Sequence, residues 1–175
     1  MKYVPPRWRR AVAWLRATSR SDGQHRDFLV TLQATPVTPA VARRYIGHWL
    51  EAIAWPQAER DAVVLAVNEA VSNAVEHGYG VTRHGPRVEG EVSVQVRVVP
   101  SGPDDRDLLV TVRDDGGWKP PSDTPEARNG GFGFVLLREL TDDLEIDGRE
   151  DGTTVMLRLH SASRPKDRRQ TSENP

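Results

Sequence analysis

The chain has 175 residues, 37% hydrophobic and 28% charged, with a formal net charge of −1, an ordinary balance for one domain with its own core. It contains no cysteine, which excludes disulfide frameworks, thiolate metal sites and cysteine nucleophiles. No run approaches the ~18 apolar residues of a membrane helix, and the stretch Ala11 to Leu15 is shorter than the roughly 7–15 residues of a secretory core. These features predict a cytoplasmic chain with no membrane role.

Charge is unevenly placed. The first residues carry Lys2, Arg7, Arg9, Arg10, Arg16 and Arg20 without an acid, the tail is also basic, and the middle carries the acidic excess. Basic ends on an acidic body suit a basic partner, or they are simply a solvated charged surface. A nucleic-acid role would rest on the basic N-terminus alone. The expected organisation is a basic N-terminal extension over 1–26, one domain over 27–160, and a disordered tail over 161–175 without apolar periodicity. Within the extension, Trp8, Val12 and Leu15 fall at the spacing of a short amphipathic helix.

Phe28 to Leu32 reads as a strand. Pro36 and Pro39 then open a helix with the stripe Val41, Tyr45, Trp49 or Leu50, and Ile53, which stops at Trp55-Pro56. Gln57 to about His77 is the strongest helix, with Val63, Val67, Ala70, Val71 and Ala74 on one face and Gly78 and Gly80 ending it. Glu91 to Val99 alternates Val92, Val94, Val96 and Val98, the pattern of a half-buried strand. Leu108 to Val112 is another strand. The segment from Gly116 to Gly133 is too long for an ordinary connector. A helix from about Phe134 to Leu140 and two strands, Asp143 to Ile146 and Thr153 to Leu159, close the domain. This order predicts an α+β fold: a two-layer sandwich, helices covering one face of a mixed, mostly antiparallel sheet.

Three polar clusters stand where a plain fold does not need them. On the long helix, Glu69 and Asn73 are four apart and point the same way, sharing a strip with the small Ala62 and Ala66. A carboxylate there can deprotonate a hydroxyl, and an amide oxygen is a hard ligand suited to Mg²⁺; an exposed helix face is the plain alternative. At a strand end, Asp114 with Gly116 lets a carboxylate accept from a base amino group while the backbone turns, although Asp-Gly turns are common. Finally, Asn129 to Phe134 (NGGFGF) leads into a helix, where glycines and free N–H groups favour phosphate. It lacks the Rossmann spacing, and no P-loop is present.

In order, these are Glu-x-x-x-Asn on a helix, Asp-x-Gly after a strand, a glycine loop before a helix, and Gly-Thr-Thr (Gly152 to Thr154) opening a strand. The set resembles the Bergerat-fold, histidine-kinase-like ATPases, the superfamily of gyrase, histidine kinases and MutL. From about Asp27 to Leu159 the chain is similar to the anti-sigma-factor serine/threonine kinases of the RsbW type, and NEAVSNAVEH is close to their helix motif. The resemblance implies ATP and Mg²⁺ as cofactors, with Glu69 as general base and Asn73 holding Mg²⁺ against the phosphates. It further implies Asp114 accepting the adenine amino group, Gly116 letting the base approach, Gly131 and Gly133 shaping a lid, and Thr153 near the adenine. Trp118 stands where the family's D-x-G-x-G has its second glycine. Implied partners are a sigma factor and an anti-sigma factor antagonist of the STAS type, with no nucleic acid, and the family forms a homodimer. The alternative function is an ATP-binding anti-sigma or adaptor module without phosphotransfer, from which Glu69 distinguishes a kinase.

Overall fold

Val63, Val67, Ala70 and Val71 recur at helical spacing because they form one buried edge of the helix that anchors the domain. In the computed structural model, which describes residues 16–22, 25–80, 90–102, 105–117 and 132–161, that helix is α2 (Gln57–Asn73). It packs beside α1 (Thr38–Ala52). Pro39 is pre-set for a first turn, and the Thr38 hydroxyl donates to the Gln33 carbonyl and accepts from the Thr35 N–H at 3.0 Å, fixing the entry. α1 ends before Trp55-Pro56, with Ala54 in the left-handed region at φ 54°. α3 (Phe132–Leu140) lies against α2.

The helices cover one face of a six-stranded sheet in the order β1-β2-β3-β4-β6-β5. The strands are β1 (Arg16–Asp22), β2 (His25–Gln33), β3 (Glu91–Pro100), β4 (Arg106–Asp114), β5 (Asp143–Arg149) and β6 (Gly152–Ser161). Every pairing among them is antiparallel, where a mixed, mostly antiparallel sheet was expected. Val92, Val94, Val96 and Val98 on β3 and Leu108, Val110 and Val112 on β4 face the helices and are buried, as their alternation predicts. With Tyr45, Ile46, Leu50, Trp55, Val67 and Val71 they form one core.

The sheet begins inside the segment assigned to the N-terminal extension. Arg16–Asp22 pairs with β2 from Arg16↔Thr31 to Asp22↔His25, so the domain's structure starts before Asp27. The helix expected around Trp8, Val12 and Leu15, like the tail after Ser161, lies outside the described residues. α2 also ends differently from the expected run to His77. Its last turn, Ala74–Gly78, widens to π-helix, a local irregularity often found at functional sites.

On the face away from the helices, the side chain of Asp107 is almost fully buried and is gripped from β6. Arg158 reaches one carboxylate oxygen at 2.5 Å and 2.6 Å, and His160 Nδ1 lies 2.7 Å from the other.

Candidate functional site

Glu69 and Asn73 leave α2 one turn apart, both half-buried. What covers them is α3. A Cβ placed on Gly133 would stand 2.2 Å from Glu69 Oε1 and 3.1 Å from Asn73 Nδ2, so glycine here lets the helix come this close without displacing the Glu69 carboxylate. Sequence reasoning puts Gly133 in the loop before the helix; it lies in the first turn of α3 instead. The small strip of Ala62 and Ala66 therefore serves close packing as well as space, since Ala66 is fully buried. Burial pushes the Glu69 carboxyl above its ordinary value; the charge of Glu76 adds to this, and that of His77 opposes it. The Asn73 Nδ2 atom is buried and has no hydrogen-bond partner among the described residues. An unmade buried hydrogen bond costs about 1–3 kcal/mol, which makes this amide a candidate for binding an acceptor from a ligand.

The second cluster forms where β4 ends. Asp114 is the last residue of β4, lies opposite Thr153 on β6, and is 4% exposed. Its Oδ1 accepts from the Gly116 N–H at 3.0 Å. Burial raises its carboxyl above the ordinary carboxylate value, while hydrogen bonds from the Gly116 and Thr153 backbone and the charge of Asp115 act in opposite senses, the bonds lowering it and the charge raising it. Gly116 presses on the end of the π-turn: a Cβ there would lie 2.4 Å from the Gly78 carbonyl oxygen. The Gly117 N–H donates to that same oxygen at 2.9 Å.

The π-turn thus joins the two clusters. Glu69, Asn73 and Gly133 meet at its start, and Asp114, Gly116 and Thr153 meet beside its end. Gly131 lies outside the described residues, as do Trp118, Asn129 and Gly130. Sequence reasoning passes over Tyr79 and Asp115, whose side chains bond each other across the junction. The one available signal was an aromatic residue directly after the glycine that ends the helix.

The arrangement offers two kinds of chemistry. A buried carboxylate beside a glycine at a strand end can accept from the amino group of a flat base. An unpartnered amide beside a carboxylate, beneath the start of a helix, suits anionic oxygen and a hard cation.

Residues 32–159 match the family described as the histidine kinase-like ATPase domain. The chain belongs to this family. Membership in this ATPase family implies ATP as the ligand. The ATPase domain is 36% identical over 106 residues to an anti-sigma F factor of Heyndrickxia coagulans, a match covering 55% of this chain and 66% of that protein. The chain thus spans just under two thirds of that relative's length. It is 26% identical over 138 residues to the serine-protein kinase RsbW of Oceanobacillus iheyensis, covering 77% and 86% of the two chains. Among solved structures, the RsbU and RsbW domains of a Mycobacterium tuberculosis protein share its fold, with a TM-score of 0.55 at 23% identity over 79% of this chain and 34% of that one. Among the described residues, no helix is long and apolar enough to cross a membrane.

Proposed function

We propose that this protein is an ATP-dependent anti-sigma factor kinase, which holds a sigma factor and phosphorylates a serine or threonine of a STAS-type antagonist. The reading rests above all on one observation: Glu69 and Asn73 lie together beneath Gly133, with Asn73 Nδ2 buried and lacking an acceptor among the described residues. The names of the relatives, an anti-sigma F factor and a serine-protein kinase, agree with it.

The residues present fit Mg-ATP. Asp114 would accept from the adenine amino group, with Gly116 and Thr153 beside it, and Asn73 would hold Mg²⁺ through its amide oxygen while its Nδ2 donates to a phosphate oxygen. ATP supplies the phosphoryl group and Mg²⁺ offsets its charge. Glu69 takes the proton from the partner's hydroxyl and holds it on its carboxylate. Its raised proton affinity makes it a better base than an exposed glutamate. α3 covers Glu69, keeping water from competing for that proton.

Incubation of the protein with labelled ATP, Mg²⁺ and candidate antagonists from the same genome tests the reading, with phosphoserine or phosphothreonine identified by mass spectrometry. Phosphorylated antagonist is the expected result. ATP binding without transfer to any candidate would point to a non-catalytic anti-sigma module, and no ATP binding would end the nucleotide reading.

A further inference from the structure

We propose that Tyr79 is a positioning residue for the base-recognition half of the site, setting the aim of Asp114 without touching the nucleotide. The inference rests on the nucleotide reading above and concerns how that site tells one base from another.

Tyr79 follows the π-turn directly and is buried. Its ring fills the space that a side chain at Gly90 would take, since a Cβ there would come within 2.0 Å of Cε1. Its hydroxyl meets three polar groups. It accepts from the Asp115 N–H at 3.0 Å, approaches the Glu91 carbonyl oxygen at 2.7 Å, and bonds the Asp115 carboxylate. A phenol has one proton and can accept as well, so the single donor serves the Glu91 carbonyl and the carboxylate while the oxygen accepts from the backbone. The Asp115 carboxylate also faces the Glu91 N–H at 3.4 Å.

The contact with the Asp115 N–H is the informative one. That N–H belongs to the same planar peptide unit as the Asp114 carbonyl. Fixing it fixes the rotation of the backbone immediately after Asp114, and with it the base from which the Asp114 side chain projects and the path to Gly116, whose N–H binds the carboxylate. The other side of Asp114 is set by the β4–β6 ladder, where it pairs with Thr153. These two restraints hold the backbone on either side of Asp114, and the Gly116 N–H, donating to Oδ1 at 3.0 Å, holds the carboxylate itself. The hydroxyl stays protonated under all ordinary conditions: burial, then the Asp115 carboxylate, push its ionisation well above the usual phenol value. The same bond holds the Asp115 carboxyl below the usual carboxylate range. Both shifts favour the observed donor and acceptor.

A carboxylate accepts from an adenine amino group and repels the carbonyl that guanine carries at the same place. The accuracy with which Asp114 is aimed therefore appears as the preference for ATP over GTP. A residue that merely supports the fold would change stability and leave that preference alone.

The test is calorimetric titration of ATP and of GTP into the full chain, wild type and Tyr79→Phe, at a temperature where circular dichroism shows both folded. Tyr79→Phe keeps the ring against Gly90 and removes only the hydroxyl. ATP affinity is expected to fall roughly tenfold, the worth of about one hydrogen bond, and the ATP-over-GTP ratio to narrow. In transfer assays KM for ATP rises and kcat stays within about twofold, because Glu69 lies at the other end of the π-turn. Asp115→Ala leaves the backbone N–H in place and removes the carboxylate that helps hold the Tyr79 hydroxyl against it, so it is expected to narrow the ratio by less; it carries the test if Tyr79→Phe does not fold. An unchanged ATP-over-GTP ratio in the folded variant overturns the inference alone. Failure of the wild type to bind ATP overturns the nucleotide reading and this inference with it.

Discussion

Replacing Gly133 with alanine separates the position of Glu69 from the stability of the fold. The new methyl carbon would stand 2.2 Å from Glu69 Oε1, where ordinary contact needs about 3.5 Å, so the carboxylate must retreat by about 1 Å. That atom is the free end of a flexible side chain, and an off-rotamer shift costs about 0.5–1.5 kcal/mol. Alanine in a helix recovers up to about 1 kcal/mol over glycine. The two effects nearly cancel, and urea unfolding of Gly133→Ala is expected within about 1 kcal/mol of wild type. Catalysis does not share that tolerance, because a misplacement of about 1 Å at a reacting group costs on the order of 10²-fold. Phosphotransfer should therefore fall about a hundredfold while the affinity for metal-free ATP, held at Asp114, stays near the wild-type value. Measuring unfolding, ATP binding and antagonist phosphorylation on one preparation distinguishes the outcomes. Transfer within about twofold of wild type would refute the placement of the base, and a stability loss above about 3 kcal/mol would refute the claim that Glu69 can give way.

Glu69→Ala should bind ATP and lose transfer by roughly 10²–10⁴-fold, as measured by phosphopeptide mass spectrometry; undiminished transfer would assign the base elsewhere. Asp114→Asn presents a donor to the adenine amino group and should weaken ATP by about 1–3 kcal/mol, so unaltered affinity by calorimetry would eliminate the pocket. Asn73→Ala should weaken Mg-ATP more than metal-free ATP, and equal losses would make Asn73 a structural residue. The bond to Asp107 raises the His160 ionisation above 6.5 in the folded protein. Its contribution to stability is therefore present below that pH and lost as pH rises through the folded value. Urea unfolding at about pH 6 and about pH 8 should show this loss in the wild type and not in His160→Gln; equal slopes would contradict it.

How much of this was legible in the sequence depended on whether a feature was periodic. The stripe on α2 and the alternating valines of β3 announce themselves, because burial of one face imposes period 3.6 or 2 on the residues. β1 does not. Its sequence, RATSRSD, has no apolar face to read, as befits a strand at the sheet's edge. The π-turn is equally silent, since AVEHG carries nothing that forbids an ordinary α-turn; it appears only where Gly78 meets Gly116. The candidate residues Glu69, Asn73 and Asp114 could be singled out by spacing and side-chain chemistry. That Gly133 packs on the first two, and that Tyr79 ties down Asp115, are contacts between distant segments. No local pattern encodes them.

The sheet's order has a consequence for when the site comes into being. β1 with β2, β3 with β4, and β5 with β6 are neighbours in sequence as well as in space, and such hairpins close in microseconds. β2 with β3 and β4 with β6 are different: the chain must pass through α1 and α2 before β3 reaches β2, and through α3 and β5 before β6 returns to lie beside β4. Asp114 and Thr153 face each other across the second of these long-range seams. Loop-closure entropy must be met before the seam's contacts repay it, so a newly made chain holds its hairpins before Asp114 and Thr153 are brought together. A ligand that binds only the closed seam stabilises it by mass action. On the nucleotide reading proposed above, ATP would then favour the closed seam in proportion to its concentration.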